Sequence, residues 1–184
     1  MRLFIAVEIP EELKAKIASI QDRLDQTEDQ IKPVGPENLH FNLKFIGEFP
    51  YDDLPKLKVL MDKTLWQFDS FNAHIHGIGT FPTPTFIKVI WLGMTEGEQA
   101  LSAMAESLEN ALESLSIAKE EKPFKPHLTL GRLNSRAGLG LISLLKDLKD
   151  TEIGSFKIEK VILFESKLTP KGPIYTEVHH VKLR

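Results

Sequence analysis

A chain of 184 residues with 42% hydrophobic and 27% charged residues has the size and composition of one ordinary globular unit, which excludes disordered and fibrous proteins. With 0 cysteines, a disulfide framework, a thiolate metal site and a cysteine nucleophile are excluded together. The net charge of -3 argues against the basic stripe that grips long duplex, but recognition of one phosphate or one strand end stays open, because a few local donors suffice. No apolar run approaches the ~18 residues of a membrane-spanning helix. The apolar opening Leu3 to Val7 is interrupted by Glu8 and followed by an acidic helix, so it reads as a first strand rather than a signal peptide, and the expected compartment is the cytoplasm.

In chain order, residues 2–9 are expected as a strand. Pro10-Glu11-Glu12 then opens a helix to about Asp29, with Leu13, Ile17, Ile20 and Leu24 on one stripe. Residues 31–34 suit a short strand before the Gly35-Pro36 turn. The segment 39–46 alternates, with His40, Asn42 and Lys44 on one face and Phe41, Leu43 and Phe45 on the other. A helix over 52–68 and strands at 71–79 and 86–93 follow, and then a helix from about Glu96 to Leu115. A strand at 126–132, a helix near 139–149 and strands at 154–165 and 173–183 complete the chain. Short turns between several strands favour an α+β architecture with antiparallel pairing. No linker composition divides the chain, so 1–184 is read as one unit.

One near-repeat carries chemistry. His40-Phe41-Asn42-Leu43 and His127-Leu128-Thr129-Leu130 share the order histidine, apolar, small polar, leucine, at a separation close to half the chain. In a strand, a histidine and the polar residue two places on share a face. If two lobes oppose these faces across a cleft, it holds two imidazoles and two neutral hydrogen-bonding side chains. Such a set suits phosphodiester cleavage: one imidazole takes a proton from the attacking oxygen and the other gives one to the leaving oxygen, each worth ~10²–10⁴ in rate. The neighbouring amide or hydroxyl can hold non-bridging phosphate oxygens. Either copy alone also fits an ordinary strand histidine.

The pair resembles the twin His-x-Thr/Ser-x signature of the two-histidine phosphoesterase superfamily, and within it the RNA 2′,3′-cyclic phosphodiesterase, or 2′-5′ RNA ligase, family. The likeness extends over Arg2 to Ala6, Asn38 to Glu48, Phe81-Pro82 to Trp91, Pro126 to Arg132 and Leu168 to Tyr175, in that order. It implies a bilobal α+β fold in which two antiparallel sheets, each backed by helices and related by a pseudo-two-fold, enclose an active-site cleft. It implies opening of an RNA or nucleotide 2′,3′-cyclic phosphate to a 2′-phosphomonoester, without cofactor or metal, with weak 2′-5′ ligation as the reverse reaction. It further implies His40 as proton donor to the leaving 3′ oxygen, His127 as proton acceptor from water, and Thr129 as a phosphate ligand.

Asn42 departs from the Thr or Ser usual in the first motif. Its amide can still donate to a phosphate oxygen, so a working enzyme and a nucleotide-binding module with weakened catalysis are the alternatives. Arg132 is a candidate phosphate ligand, although strict alternation sends it away from His127 unless a bulge at Gly131 brings it back. Phe45 could stack on a base or fill the core, and Tyr175 is similarly open. Lys44, on the face of His40, adds positive potential or is simply solvated. His74 and His76 have a zinc-compatible spacing with no third ligand evident, which favours a solvated strand face. His179 and His180 point to opposite faces and make a poor chelate.

Overall fold

The computed structural model describes all residues from Met1 to Arg184. Nine strands and four α-helices run in the order β1 (Arg2–Glu8), α1 (Glu11–Asp25), β2 (Ile31–Pro33), β3 (His40–Glu48), α2 (Leu54–Leu65), β4 (Phe71–Pro82), β5 (Ile87–Met94), α3 (Glu98–Leu112), β6 (Leu128–Leu133), α4 (Leu139–Asp147), β7 (Glu152–Ile158), β8 (Lys160–Thr169) and β9 (Gly172–Lys182). Short 3-10 turns at Pro36–Asn38, Tyr51–Asp53 and Glu113–Leu115 link some of them.

The expected helical stripe of α1 is the buried one, with Leu13, Ile17, Ile20 and Leu24 facing inward. Glu11 and Glu12 occupy its first turn, where they favour the positive end of the helix dipole. The helix stops at Asp25 rather than Asp29: the Thr27 hydroxyl donates to the Leu24 carbonyl at 2.7 Å, and Glu28 adopts a positive φ of 62°. α3 starts beside Gly97, whose φ is +87° and whose missing Cβ would lie 2.8 Å from the Asn72 carbonyl oxygen. Only glycine meets both conditions there.

All strand pairs are antiparallel, in the order β7-β4-β5-β6-β3-β1-β8-β9, with β2 paired to β6. The α+β class with antiparallel pairing is therefore as expected, but the two anticipated sheets are hydrogen-bonded into one array. The join is thin. β3 and β6 meet through the single pair Phe41–Leu128, whereas β8 and β9 share ten pairs. Outward from this join run β3-β1-β8-β9 on one side and β6-β5-β4-β7 on the other, so each half begins with the strand along which one copy of the repeated motif runs.

The expected single strand over 154–165 is two. β7 pairs with β4 in one half and β8 with β1 in the other, so the chain must break at Glu159 to cross between them. A continuous apolar core draws Leu3, Ile5, Phe41, Ile75, Ile90 and Leu128 from both halves. On the opposite face of β1, Phe4 and Ala6 pack with Ile162 and Phe164 beneath Tyr175. β1 is thus covered on both faces, which explains its unbroken apolar run.

Candidate active site

The Phe41–Leu128 pair fixes the site. Both side chains are fully buried in the core. Carrying the antiparallel register one residue in each direction sets His40 across from Thr129 and Asn42 across from His127, on the other face. The two motifs, far apart in the chain, become one patch of four polar side chains at the join of the halves. The proximity is electrostatic too: a charge on His127 disfavours a charge on His40.

Each imidazole is tied in the same way. Nδ1 of His40 donates to the Asn38 carbonyl at 2.6 Å, and Nδ1 of His127 to the Lys125 carbonyl at 2.8 Å. A carbonyl can only accept, so the hydrogen resides on Nδ1 in both rings and Nε2 is left for chemistry. Each ring is also packed among aromatics. His40 lies 5.0 Å from Phe4 and 5.5 Å from Tyr175, and His127 lies 5.0 Å from Phe81 and 6.3 Å from Trp91. Burial pulls both histidines below the ordinary value of 6.5, only partly offset by the backbone hydrogen bonds. For His127 the Arg132 and Lys125 charges lower it further. Tyr175 is raised by burial, against the opposing charges of Arg132 and Arg2.

Matching bulges decide which later residues join the site. In β6, Trp91 pairs with Thr129 and Ile90 with Gly131, so Leu130 is the extra residue. The alternation shifts by one, and Arg132 returns to the face of His127, close enough to act on both His127 and Tyr175. In β3, Ala6 pairs with Asn42 and Ile5 with Lys44, so Leu43 is the extra residue. The same shift turns Lys44 away from His40 and into the core, correcting the expectation of a shared face. Lys44 is 2% exposed, with its Nζ 2.8 Å from Glu109 Oε1 on α3 and donating to the Ala118 carbonyl at 2.7 Å. Phe45 then lies beside Phe4 on the cleft side, 44% exposed, with the Arg2 guanidinium 5.1 Å from its ring centre. The alternative of Phe45 in the core is thereby removed.

The other histidines stay apart from this patch. His74 contacts Ser155 Oγ at 2.6 Å and the Glu152 carboxylate, which also lies 3.8 Å from His76. Glu152 is the third group absent from the sequence reading, yet no trio of ligating side chains is arranged to hold a metal ion. His179 pairs with Asp62 and His180 with Glu177, on separate sides. A cavity of about 430 Å³ adjoins Phe45, Phe49 and the 115–120 segment but contains neither catalytic candidate.

Sequence reasoning missed Phe4, Arg2, Trp91 and Asn38. Strand alternation in β1 carries a signal for Arg2 and Phe4, which share a face with Ala6. Nothing local marks Trp91, which lies over Gly79 so closely that a Cβ there would sit 2.3 Å from its Cζ2.

Two backbone-anchored imidazoles with a hydrogen-bonding side chain across from each, at the join of two antiparallel halves, form an arrangement able to perform acid–base chemistry on a phosphodiester. The model of the 2'-5' RNA ligase superfamily matches residues 9–169, and the chain belongs to that superfamily. A protein of Methanothermobacter thermautotrophicus named RNA 2',3'-cyclic phosphodiesterase is 37% identical over 184 residues, spanning 100% of this chain and 99% of the relative. A Thermus thermophilus protein of the same name is 35% identical, spanning 100% and 91%. A crystal structure of a Thermus thermophilus protein superposes with a TM-score of 0.85 at 32% identity, covering 100% of this chain and 98% of that one. Escherichia coli LigT complexed with 3'-AMP shares the fold, with a TM-score of 0.82 at 23% identity over 99% and 97%.

Proposed function

We propose that this protein is a hydrolase that opens RNA or nucleotide 2′,3′-cyclic phosphates to 2′-phosphomonoesters, with His40 and His127 dividing the proton transfers. The observation that carries the reading is the apposition of the two motifs through Phe41–Leu128, with both rings presenting Nε2. The names of relatives matched over nearly their whole length support the reaction and favour an enzyme over a binding module.

His127 Nε2 takes a proton from water as its oxygen attacks phosphorus. The P–O3′ bond breaks, and Nε2–H of His40 protonates the departing oxygen, leaving the phosphate on O2′. Burial disfavours the imidazolium on His40, and a bound phosphate anion restores it, so the acid forms where the substrate sits. Thr129, Asn42 and Arg132 donate to the non-bridging oxygens as charge develops. Phe45 offers an aromatic face to a base. Run backwards with a 5′-hydroxyl in place of water, the same steps form a 2′-5′ linkage, as a weaker activity. No helix is long and apolar enough to cross a membrane, and a task on RNA ends suits the cytoplasm.

The test is hydrolysis of an oligonucleotide ending in a 2′,3′-cyclic phosphate, in EDTA, by the wild type, His40→Ala and His127→Ala. Release of a 2′-phosphate end by the wild type, with losses of at least about 10²-fold in both variants, is the expected result. Full activity in either variant refutes the assignment.

A further inference from the structure

Three polar residues are buried: Asn38, Lys44 and Ser166. Lys44 has Glu109 as a partner, but the burial of Asn38, 9% exposed, asks for its own reason. Asn38 closes the Pro36–Asn38 turn and reaches in two directions. Its backbone carbonyl accepts the Nδ1–H of His40 at 2.6 Å. Its side-chain Nδ2 donates to the carbonyl of Pro173, near the start of β9, at 3.1 Å and comes within 3.5 Å of Glu37 Oε1. Two residues beyond Pro173, Tyr175 stands edge-on to His40 at 5.5 Å and to Phe4 at 4.7 Å. The hairpin tip is itself tied, with the Thr169 hydroxyl donating to the Gly172 carbonyl at 2.7 Å.

His40 is therefore held from two sides, by a turn and by a hairpin, and Asn38 joins them. The His127 ring also has hairpin aromatics beside it, Phe81 and Trp91, but no side-chain hydrogen bond ties its turn to that hairpin. Lys125 supplies the carbonyl, but its own side chain is exposed and its Nζ lies 4.6 Å above the Trp91 ring.

We propose that Asn38 is the positioning residue of the His40 half-site, its side-chain amide pinning the β8–β9 hairpin through Pro173 so that Tyr175 and the Asn38 carbonyl together fix the His40 ring. The proposal rests on His40 acting as a proton carrier. The groups facing His40 are His127, the Tyr175 phenol with Arg132 and Arg2 beside it, and Glu37 beyond Asn38. Removing the tether lets the hairpin lift and loosens the ring, without touching the groups that hold phosphate.

Asn38→Ala deletes the donor. Asn38→Asp keeps the shape but sets a carboxylate against a carbonyl, two acceptors with no hydrogen between them. In both, kcat is expected to fall by about 10–100-fold, the usual consequence of a small misplacement of a reacting group, with KM changed less than about threefold. By NMR, the His40 titration moves up in both variants. Less burial acts in Asn38→Ala and the added negative charge in Asn38→Asp, while His127, coupled to His40 only through their mutual charge, moves by much less. In a Tyr175→Leu background, Asn38→Ala costs less than about threefold, because the hairpin contact is already gone.

His40→Ala is measured alongside. If it stays active, the role of His40 fails. If it is inactive while both Asn38 variants keep wild-type kcat, the positioning role alone is overturned. Equal movement of both histidine titrations, additive losses with Tyr175→Leu, or failure of both Asn38 variants to fold likewise overturns it, because each assigns Asn38 to general stability.

Discussion

Lys44 and Glu109 permit a prediction worked from the structure. Nζ and Oε1 are 2.8 Å apart, with side-chain exposures of 1% and 18%. At an effective dielectric of ~20, their attraction is about 6 kcal/mol before solvation is counted. Withdrawing each ion from water opposes it by several kcal/mol, so the intact pair adds little net stability, whereas a lone survivor is costly at about 3–5 kcal/mol. The two survivors differ. After Lys44→Met the Glu109 carboxylate retains some water, but after Glu109→Leu the Lys44 ammonium keeps only the Ala118 carbonyl and Glu120 at 4.0 Å.

Lys44→Met is therefore expected to cost about 3 kcal/mol and Glu109→Leu about 4, or roughly 6–16 °C in Tm for a chain of this size. The double variant, with two apolar groups facing each other, returns to within about 2 kcal/mol of the wild type. Urea unfolding of the four proteins reads all of this. Below the melting range kcat stays within about threefold, because the pair lies on the helix side of β3, away from the cleft. A cost below about 1 kcal/mol for either single variant, or a double variant equal to their sum, refutes the reasoning.

Arg132→Gln removes the proposed phosphate donor and a charge that lowers His127. The expected outcome is a loss of about 10–100-fold in kcat/KM, with the His127 titration moving up by NMR, and an unmoved titration would place Arg132 away from the ring. Gly79→Ala pushes a Cβ to 2.3 Å from Trp91, which packs against His127. It should cost about 1–3 kcal/mol and shift the emission of the buried indole, and unchanged fluorescence and kcat would contradict it. Both histidines are pulled below 6.5 in the folded state, so between the lowered values and 6.5 the unfolded chain binds more protons. Stability is then full above about pH 7 and falls as pH drops through 6.5. His40→Asn/His127→Asn should flatten the profile of Tm between about pH 5 and 7.5, and an equally steep profile in that variant would assign the acid sensitivity to other groups.

Local pattern carried much of this protein. The stripe Leu13, Ile17, Ile20, Leu24 identified α1 because a helix buries one face whatever it packs against. The twin His-x-Asn/Thr-x motifs marked the candidate site because a strand places alternate residues together and because the pair resembles a known family signature. These depend on neighbours in the chain, so the sequence by itself decided them.

Alternation did not by itself fix its own interruptions, although Gly131 pointed to one before Arg132, and the extra residue is its neighbour Leu130. The bulges at Leu43 and Leu130 exist because β3 and β6 pair with β1 and β5, strands distant in sequence, in registers that leave one residue over. One extra residue exchanges the faces of everything after it. That is why Lys44 is buried against Glu109, Phe45 is open to the cleft and Arg132 stands beside His127. The break at Glu159, the Phe41–Leu128 join and the reach of Asn38 to Pro173 likewise depend on where remote strands lie. Local propensity determined which elements form, and the two motifs marked the candidates for the chemistry. Pairing between distant strands determined which way those residues face, because a register is set by the whole sheet and not by the strand that carries it.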